Sequence, residues 1–263
     1  MTADTLVRYV GPAEAGGHVA RLTLDSPHNR NALSSTLVDQ LREGLSKAGE
    51  DTAVRAVVLG HTGGTFCAGA DLSEATGGDP RAAAAGRAHV LAALLRSLVE
   101  FPAPVIGAVD GHVRAGGMGL VGACDIVIAG PRSTFALTEA RIGVAPAIIS
   151  LTLLPKLDPR AAARYYLTGE TFDARRAAQI GLVTTTADDV GFAVDAVTAD
   201  LAKASPQGLA ASKALTTAAV LAGFDRDAGR LAEESARLFV SEEAREGMLA
   251  FLQRRPPRWV ADG

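Results

Sequence analysis

Residues 105–128, VIGAVDGHVRAGGMGLVGACDIVI, constrain this chain more than any other stretch. The order is an apolar run, a glycine-rich turn, a short helix of small residues and a second apolar run. Apolar runs bounded by small residues suit strands covered on both faces. The turn at 111–117 then presents backbone N–H groups at a helix start, where donors are unpaired and the helix dipole is positive. Such a place holds either a phosphate or an oxyanion that exists only during a reaction.

The chain has 263 residues, enough for one large domain and a substantial core. Apolar residues make up 48% and aromatics 5%, so the core is expected to be mainly Ala, Val, Leu and Ile. A net charge of −3 gives no reason to expect nucleic acid or an anionic membrane as a partner. The two cysteines, Cys67 and Cys124, lie in apolar segments with no metal-ligand spacing. They read as free buried thiols in a reducing, cytoplasmic compartment. The N-terminus lacks the pattern of a signal peptide. The alanine-rich stretch 82–95 is broken by Arg87 and His89, so no membrane span is expected.

In chain order, residues 5–10 and 18–24 read as a strand hairpin around AEAGG. Ser34 or Ser35 caps a helix through about Ala48. A buried strand over 54–59 feeds the loop HTGGTFCAGADL, and a helix covers 84–99. After Ile128 come a turn, Phe135-Ala136-Leu137 and Glu139. Helices follow over 151–157, 159–167 and 174–180, the last ending at Gly181. A last strand spans 182–186. Helices then cover 190–204, 206–222 and 225–254, the last one long or paired. Strands alternate with helices early and helices dominate late, which is an α/β core with a helical C-terminal third.

Gly117, Gly119 and Gly122 match GxGxxG, but the following strand resumes too soon for a dinucleotide-binding unit. Close helix packing explains these glycines better. The loops at 61–72 and 111–119 instead look like a pair. If their strands are parallel neighbours, both loops leave one sheet edge, and each offers one N–H to a single oxygen. Two ordinary tight turns are the plainer alternative.

NRNAL, FCAGADL, VDGHVRAGGMGLVGACDIVIAG and FALTEARIGVAP, in this order and spacing, resemble the crotonase family of enoyl-CoA hydratases and isomerases. The resemblance covers almost the whole chain and implies an α/β spiral of ββα units with a helical C-terminal trimerisation region. The division is a core over 1–200 and a helical region over 201–263. It implies catalytic roles for Glu139 and for the Ala70 and Gly116 N–H groups, which would form an oxyanion hole for the thioester carbonyl. It places Arg30, Asn31, Ala32, Leu33, Ala68, Asp71, Leu72, Phe251 and Arg254 around coenzyme A. The implied partner is an acyl-CoA thioester, CoA being part of the substrate, with no separate cofactor or metal. The implied assembly is a homotrimer or a hexamer.

Hydratases of this family use two glutamates. The second is Glu139, whereas the position of the first is Gly119. A carboxylate in a dry acyl pocket has a raised pKa and can carry a proton at neutral pH. The expected activity is hydration of a 2-enoyl-CoA in fatty-acid or branched-chain amino-acid breakdown. The alternatives are a Δ3,Δ2-enoyl-CoA isomerase working with one glutamate and an acyl-CoA binder without catalysis. His112 and Arg114 are nearby polar groups of undetermined direction. Tyr165 and Tyr166 read as helix-packing residues.

Overall fold

Along residues 19–24 every second side chain is inward, with Ala20, Leu22 and Leu24 fully buried. This period-two pattern makes strand β2 (Val19–Leu24), which pairs antiparallel with β1 (Val7–Val10) as the expected hairpin. Part of the connecting AEAGG turn is a single helical turn, α1 (Pro12–Ala15). The computed structural model describes residues 4–15, 17–71, 74 and 79–260. Leu72 lies outside the described residues.

Ser34 caps α2 (Ser35–Glu50) by accepting from the Leu37 N–H. One unit then repeats. Strand β3 (Ala56–His61) passes into the short β4 (Thr65–Cys67) and the helix α3 (Pro80–Glu100). Strand β5 (Val105–Val109) passes into β6 (His112–Arg114) and the helix α4 (Gly116–Ala123). Strand β7 (Ile126–Ala129) passes into β8 (Thr134–Ala136), a 3-10 turn over Glu139–Ile142 and the helix α5 (Ser150–Leu153). The remaining elements are α6 (Pro159–Thr168), β9 (Phe172–Asp173), α7 (Ala174–Gln179), β10 (Thr185–Thr186), α8 (Val190–Leu201), α9 (Pro206–Phe239) and α10 (Glu242–Leu252).

The first strand of each repeat joins one sheet, ordered β1-β2-β3-β5-β7-β10. The second joins another, ordered β4-β6-β8-β9. This is the expected spiral of ββα units. Val57, Leu59 and Val105 face the main core, while Ala56, Val58, Ile106 and Ile128 pack beneath Val194 of α8. The large sheet is therefore covered on both faces, which is why its strands read as unbroken apolar runs.

Helix α3 is long and apolar enough to cross a membrane by length and composition. Here its Ala84, Ala88, Ala92, Leu95 and Val99 are buried. Lys213 of α9, also buried, bonds the Leu98 and Ala103 carbonyls and pairs with Asp125 at 2.8 Å. This ties α9 to the end of α3 and the start of β7. Cys67 and Cys124 are both buried and free, and burial pushes each thiol up to about 12.

Several element boundaries differ from expectation. The helix expected to stop near 222 continues to Phe239, because Gly223 sits in open space and Phe224 is buried on the helix's inner face. The break comes at Ser241, whose side chain caps α10. The helix expected over 151–157 is only Ser150–Leu153, and the strand expected over 182–186 only Thr185–Thr186. Finally, the turn expected over 111–117 contains the additional strand β6.

Candidate active site

Strands β4, β6 and β8 are parallel neighbours, with Thr65 opposite His112 and His112 opposite Thr134. Their C-terminal ends therefore open on one edge of the small sheet, at a spacing of about 4.8 Å between strands. Ala70 follows the end of β4, Gly116 the end of β6 and Glu139 the end of β8. The topology thus gathers the three expected catalytic positions at one edge.

The loop bearing Ala70 is fastened on one side to residues 30–33. The Ala68 N–H donates to the Arg30 carbonyl, Leu33 to Gly69 at 2.7 Å and Asp71 to Leu33. In this parallel bridge Leu33 uses the groups of Gly69 and Asp71, so the N–H of Ala70 itself turns the other way. The Gly116 N–H opens α4, where no preceding helical carbonyl exists to receive it. Neither N–H donates a hydrogen bond among the described residues. The two loops touch directly: a β-carbon added to Gly69 would lie 2.7 Å from the Ala115 β-carbon and 3.3 Å from the Gly116 nitrogen.

Ala115 takes φ 44° and ψ −119°, a conformation natural to glycine and strained for alanine. This single residue swings the chain from β6 into α4 and aims the Gly116 N–H outward. The next glycines serve approach rather than a phosphate. They are helical, and added β-carbons would meet the Cys67 carbonyl oxygen at 2.6 Å from Gly117 and Ile149 Cγ2 at 2.5 Å from Gly119.

Glu139 is 9% exposed, and its Oε2 has no hydrogen-bond partner among the described residues. Burial lifts its carboxyl to about 7, and the bond from its own backbone N–H opposes this only in part. The turn carrying it is held by α6, since Arg141 Nε donates to the Thr168 carbonyl at 2.8 Å. It is held also by α10: an added β-carbon on Gly247 would lie 2.5 Å from the Ile142 carbonyl oxygen.

Two residues that the sequence marked only as packing or not at all stand beside this turn. Ser150 Oγ donates to the Pro146 carbonyl at 2.7 Å and contacts the Tyr166 hydroxyl at 3.2 Å. Burial raises the Tyr166 phenol to about 12, and the charge of Glu139 adds to the rise. Tyr165 is the expected packing residue, buried with its ring tilted against Phe172 at 4.1 Å between centroids, and its hydroxyl accepts from Arg176 Nε at 3.0 Å. A helical YY pair gives no signal as to which ring meets a polar site.

The other positions expected from the resemblance are distributed as follows. The buried Asn31 side chain is committed to the Ser26 N–H, the Thr62 carbonyl and the Thr65 carbonyl. Ala32 is buried, and Leu33 Cδ1 would lie 2.8 Å from a β-carbon on Gly116. Arg30 is exposed beside this loop, and Asn29 Nδ2 reaches Asp71 at 3.4 Å. Phe251 and Arg254 are exposed at the end of α10. His112 and Arg114 both bond Thr134, so they occupy the β6–β8 surface.

The comparisons with known proteins agree with this geometry. The family described as enoyl-CoA hydratase/isomerase matches residues 14–262. A crystal structure of an enoyl-CoA hydratase from Mycobacterium avium is similar with a TM-score of 0.93 and 70% identity, over 97% of this chain and 99% of that one. A Thermus thermophilus relative whose name places it with the enoyl-CoA hydratases is 36% identical over 250 residues, 92% of this chain and 98% of that one. The 2,3-dehydroadipyl-CoA hydratase of Escherichia coli K12 is 31% identical over 243 residues, 91% of this chain and 94% of that one. With its spiral of strand pairs and its paired N–H groups beside a buried glutamate, the chain belongs to the enoyl-CoA hydratase/isomerase, or crotonase, family.

Proposed function

We propose that the protein adds water to a 2-enoyl-CoA thioester, with Glu139 as its single acid–base carboxylate. The observation that carries this reading is the buried Oε2 of Glu139, which has no partner among the described residues, at a sheet edge shared with the Ala70 and Gly116 N–H groups, which donate to none of those residues either. The two N–H groups receive the thioester oxygen as it gains negative charge, each contributing roughly 3 kcal/mol in the transition state. Ionised Glu139 takes a proton from water as the water oxygen bonds to Cβ, and the C=C electrons move into the enolate. Protonated Glu139 then returns that proton to Cα. The thioester regains its carbonyl, and Glu139 ends as it began. A carboxyl near neutrality suits both halves of this cycle.

Isomerisation of a 3-enoyl-CoA uses the same machinery without water, with Glu139 moving a proton between carbons of an allylic enolate. The glycine at 119 favours this second reading, because no second carboxylate stands there. Arg30 and Arg254, both exposed, suit the phosphates of CoA. Assembly into a trimer or hexamer fits the exposed Leu249, Phe251 and Leu252 on α10.

The test is mass-resolved turnover of crotonyl-CoA and of a 3-enoyl-CoA by the wild type and by Glu139→Gln. The expected result is a gain of one water that Glu139→Gln abolishes. A shifted double bond at unchanged mass selects isomerisation. Binding of both thioesters with no reaction of either would overturn both readings.

A further inference from the structure

We infer that the Tyr166 phenol oxygen is the second acceptor for the attacking water, taking the part that a glutamate at position 119 does not play in this chain. The inference rests on the hydratase reading above. Water that attacks through a lone pair is best aimed when each of its two hydrogens has an acceptor. Glu139 Oε2 is one acceptor. Position 119 supplies none, and Ile149 closes the space around it.

The hydrogen-bond roles around Ser150 make Tyr166 an acceptor. A serine hydroxyl has one proton. That of Ser150 is donated to the Pro146 carbonyl four residues back at 2.7 Å. In the 3.2 Å contact with Tyr166, the serine oxygen therefore receives and the phenol gives. The phenol proton is thereby occupied, and the lone pairs of its oxygen remain for a donor. Burial keeps this phenol protonated across the working range, so it acts without changing charge.

The framework also fastens the helix that carries the phenol to the turn that carries the glutamate. Arg141 of the turn bonds Thr168, two residues after Tyr166, and a β-carbon added to Gly169 would lie 3.1 Å from the Leu137 carbonyl oxygen. The approach to Glu139 and the end of α6 are thus fastened at one junction. The charge of Glu139 is felt at the Tyr166 oxygen across it. Ser150 follows directly on Ile149, so one short segment both closes the glutamate position and anchors its substitute.

The experiment compares the wild type, Tyr166→Phe and Ser150→Ala in crotonyl-CoA hydration and in deuterium exchange at Cα of butyryl-CoA in D2O. Exchange needs Glu139 and the oxyanion hole but no water addition. Tyr166→Phe should lower the hydration kcat by about 10- to 100-fold, the scale of a misplaced reactant, with KM held within about twofold. Its exchange rate should stay near that of the wild type. Ser150→Ala retains the ring but frees its proton, and should lower kcat in the same direction by less. Unchanged hydration in Tyr166→Phe would overturn the inference and leave the hydratase reading standing. A parallel fall in hydration and exchange would also overturn it, as the mark of a structural role. Failure of the wild type to add water would remove the hydratase reading and this inference together.

Discussion

Ile149 occupies the space beside Gly119, so that a β-carbon at 119 would lie 2.5 Å from its Cγ2 and 3.1 Å from its Cβ. The position where family hydratases carry a first glutamate is therefore closed as well as vacant of a carboxylate. Gly119→Ala should destabilise the protein by about 1–3 kcal/mol, the range for overpacking a dense core. Ile149→Ala on its own leaves a cavity, but in the double variant it should recover part of the Gly119→Ala loss. Denaturant midpoints of the two single variants and the double variant give the coupling.

With Glu139 as the proposed base, activity should have an acid limb. The Glu139 carboxyl stands at about 7, and only the ionised form takes a proton from water. The kcat/KM for hydration should therefore fall as pH drops below about 7, and a pH profile on crotonyl-CoA measures the limb.

The same shift has a cost in stability with a definite sign. Between the ordinary carboxyl range and about 7, the unfolded chain releases this proton while the native state keeps it. Glu139 thus favours the native state most below its unfolded value, and that contribution is lost as pH rises through about 7. Glu139→Gln should leave stability nearly unchanged at pH 4 and raise it by about 3 kcal/mol at pH 8, as read by urea unfolding at both values.

Ala115 holds φ 44° where glycine is the natural residue. Ala115→Gly should relieve strain of about 1 kcal/mol, raising the unfolding midpoint. The freed hinge would aim the Gly116 N–H less firmly, so the same variant should lower hydration kcat while KM changes little. Paired thermal and kinetic measurements check both halves.

Asn31 joins three strand ends through its side chain, to Ser26, Thr62 and Thr65. Asn31→Ala would leave those backbone groups unpaired in a buried place. The expected loss is about 2–4 kcal/mol, visible as a lower urea midpoint with an unchanged slope.

Several features were legible along the chain because they are local. The apolar runs of β3, β5 and β7, the Ser34 cap and the small residues of α4 each carry their own signal. Strands β4, β6 and β8 were harder to read because three residues are too few to display a period. Yet these short strands bring Ala70, Gly116 and Glu139 to one edge. The motif resemblance named those residues, while their common placement comes from the parallel pairing of the small sheet.

By itself, the sequence determined the α/β class, the family and the identity of one acidic residue set among apolar ones. Only the tertiary structure decided that Glu139 is buried and unpartnered among the described residues, that Ile149 fills the space at Gly119, and that Tyr166 meets Ser150 while Tyr165 meets Arg176. The reason is physical. Periodicity and capping act over a few residues, whereas desolvation, steric closure and the direction of a hydroxyl depend on segments that meet only after the chain has folded.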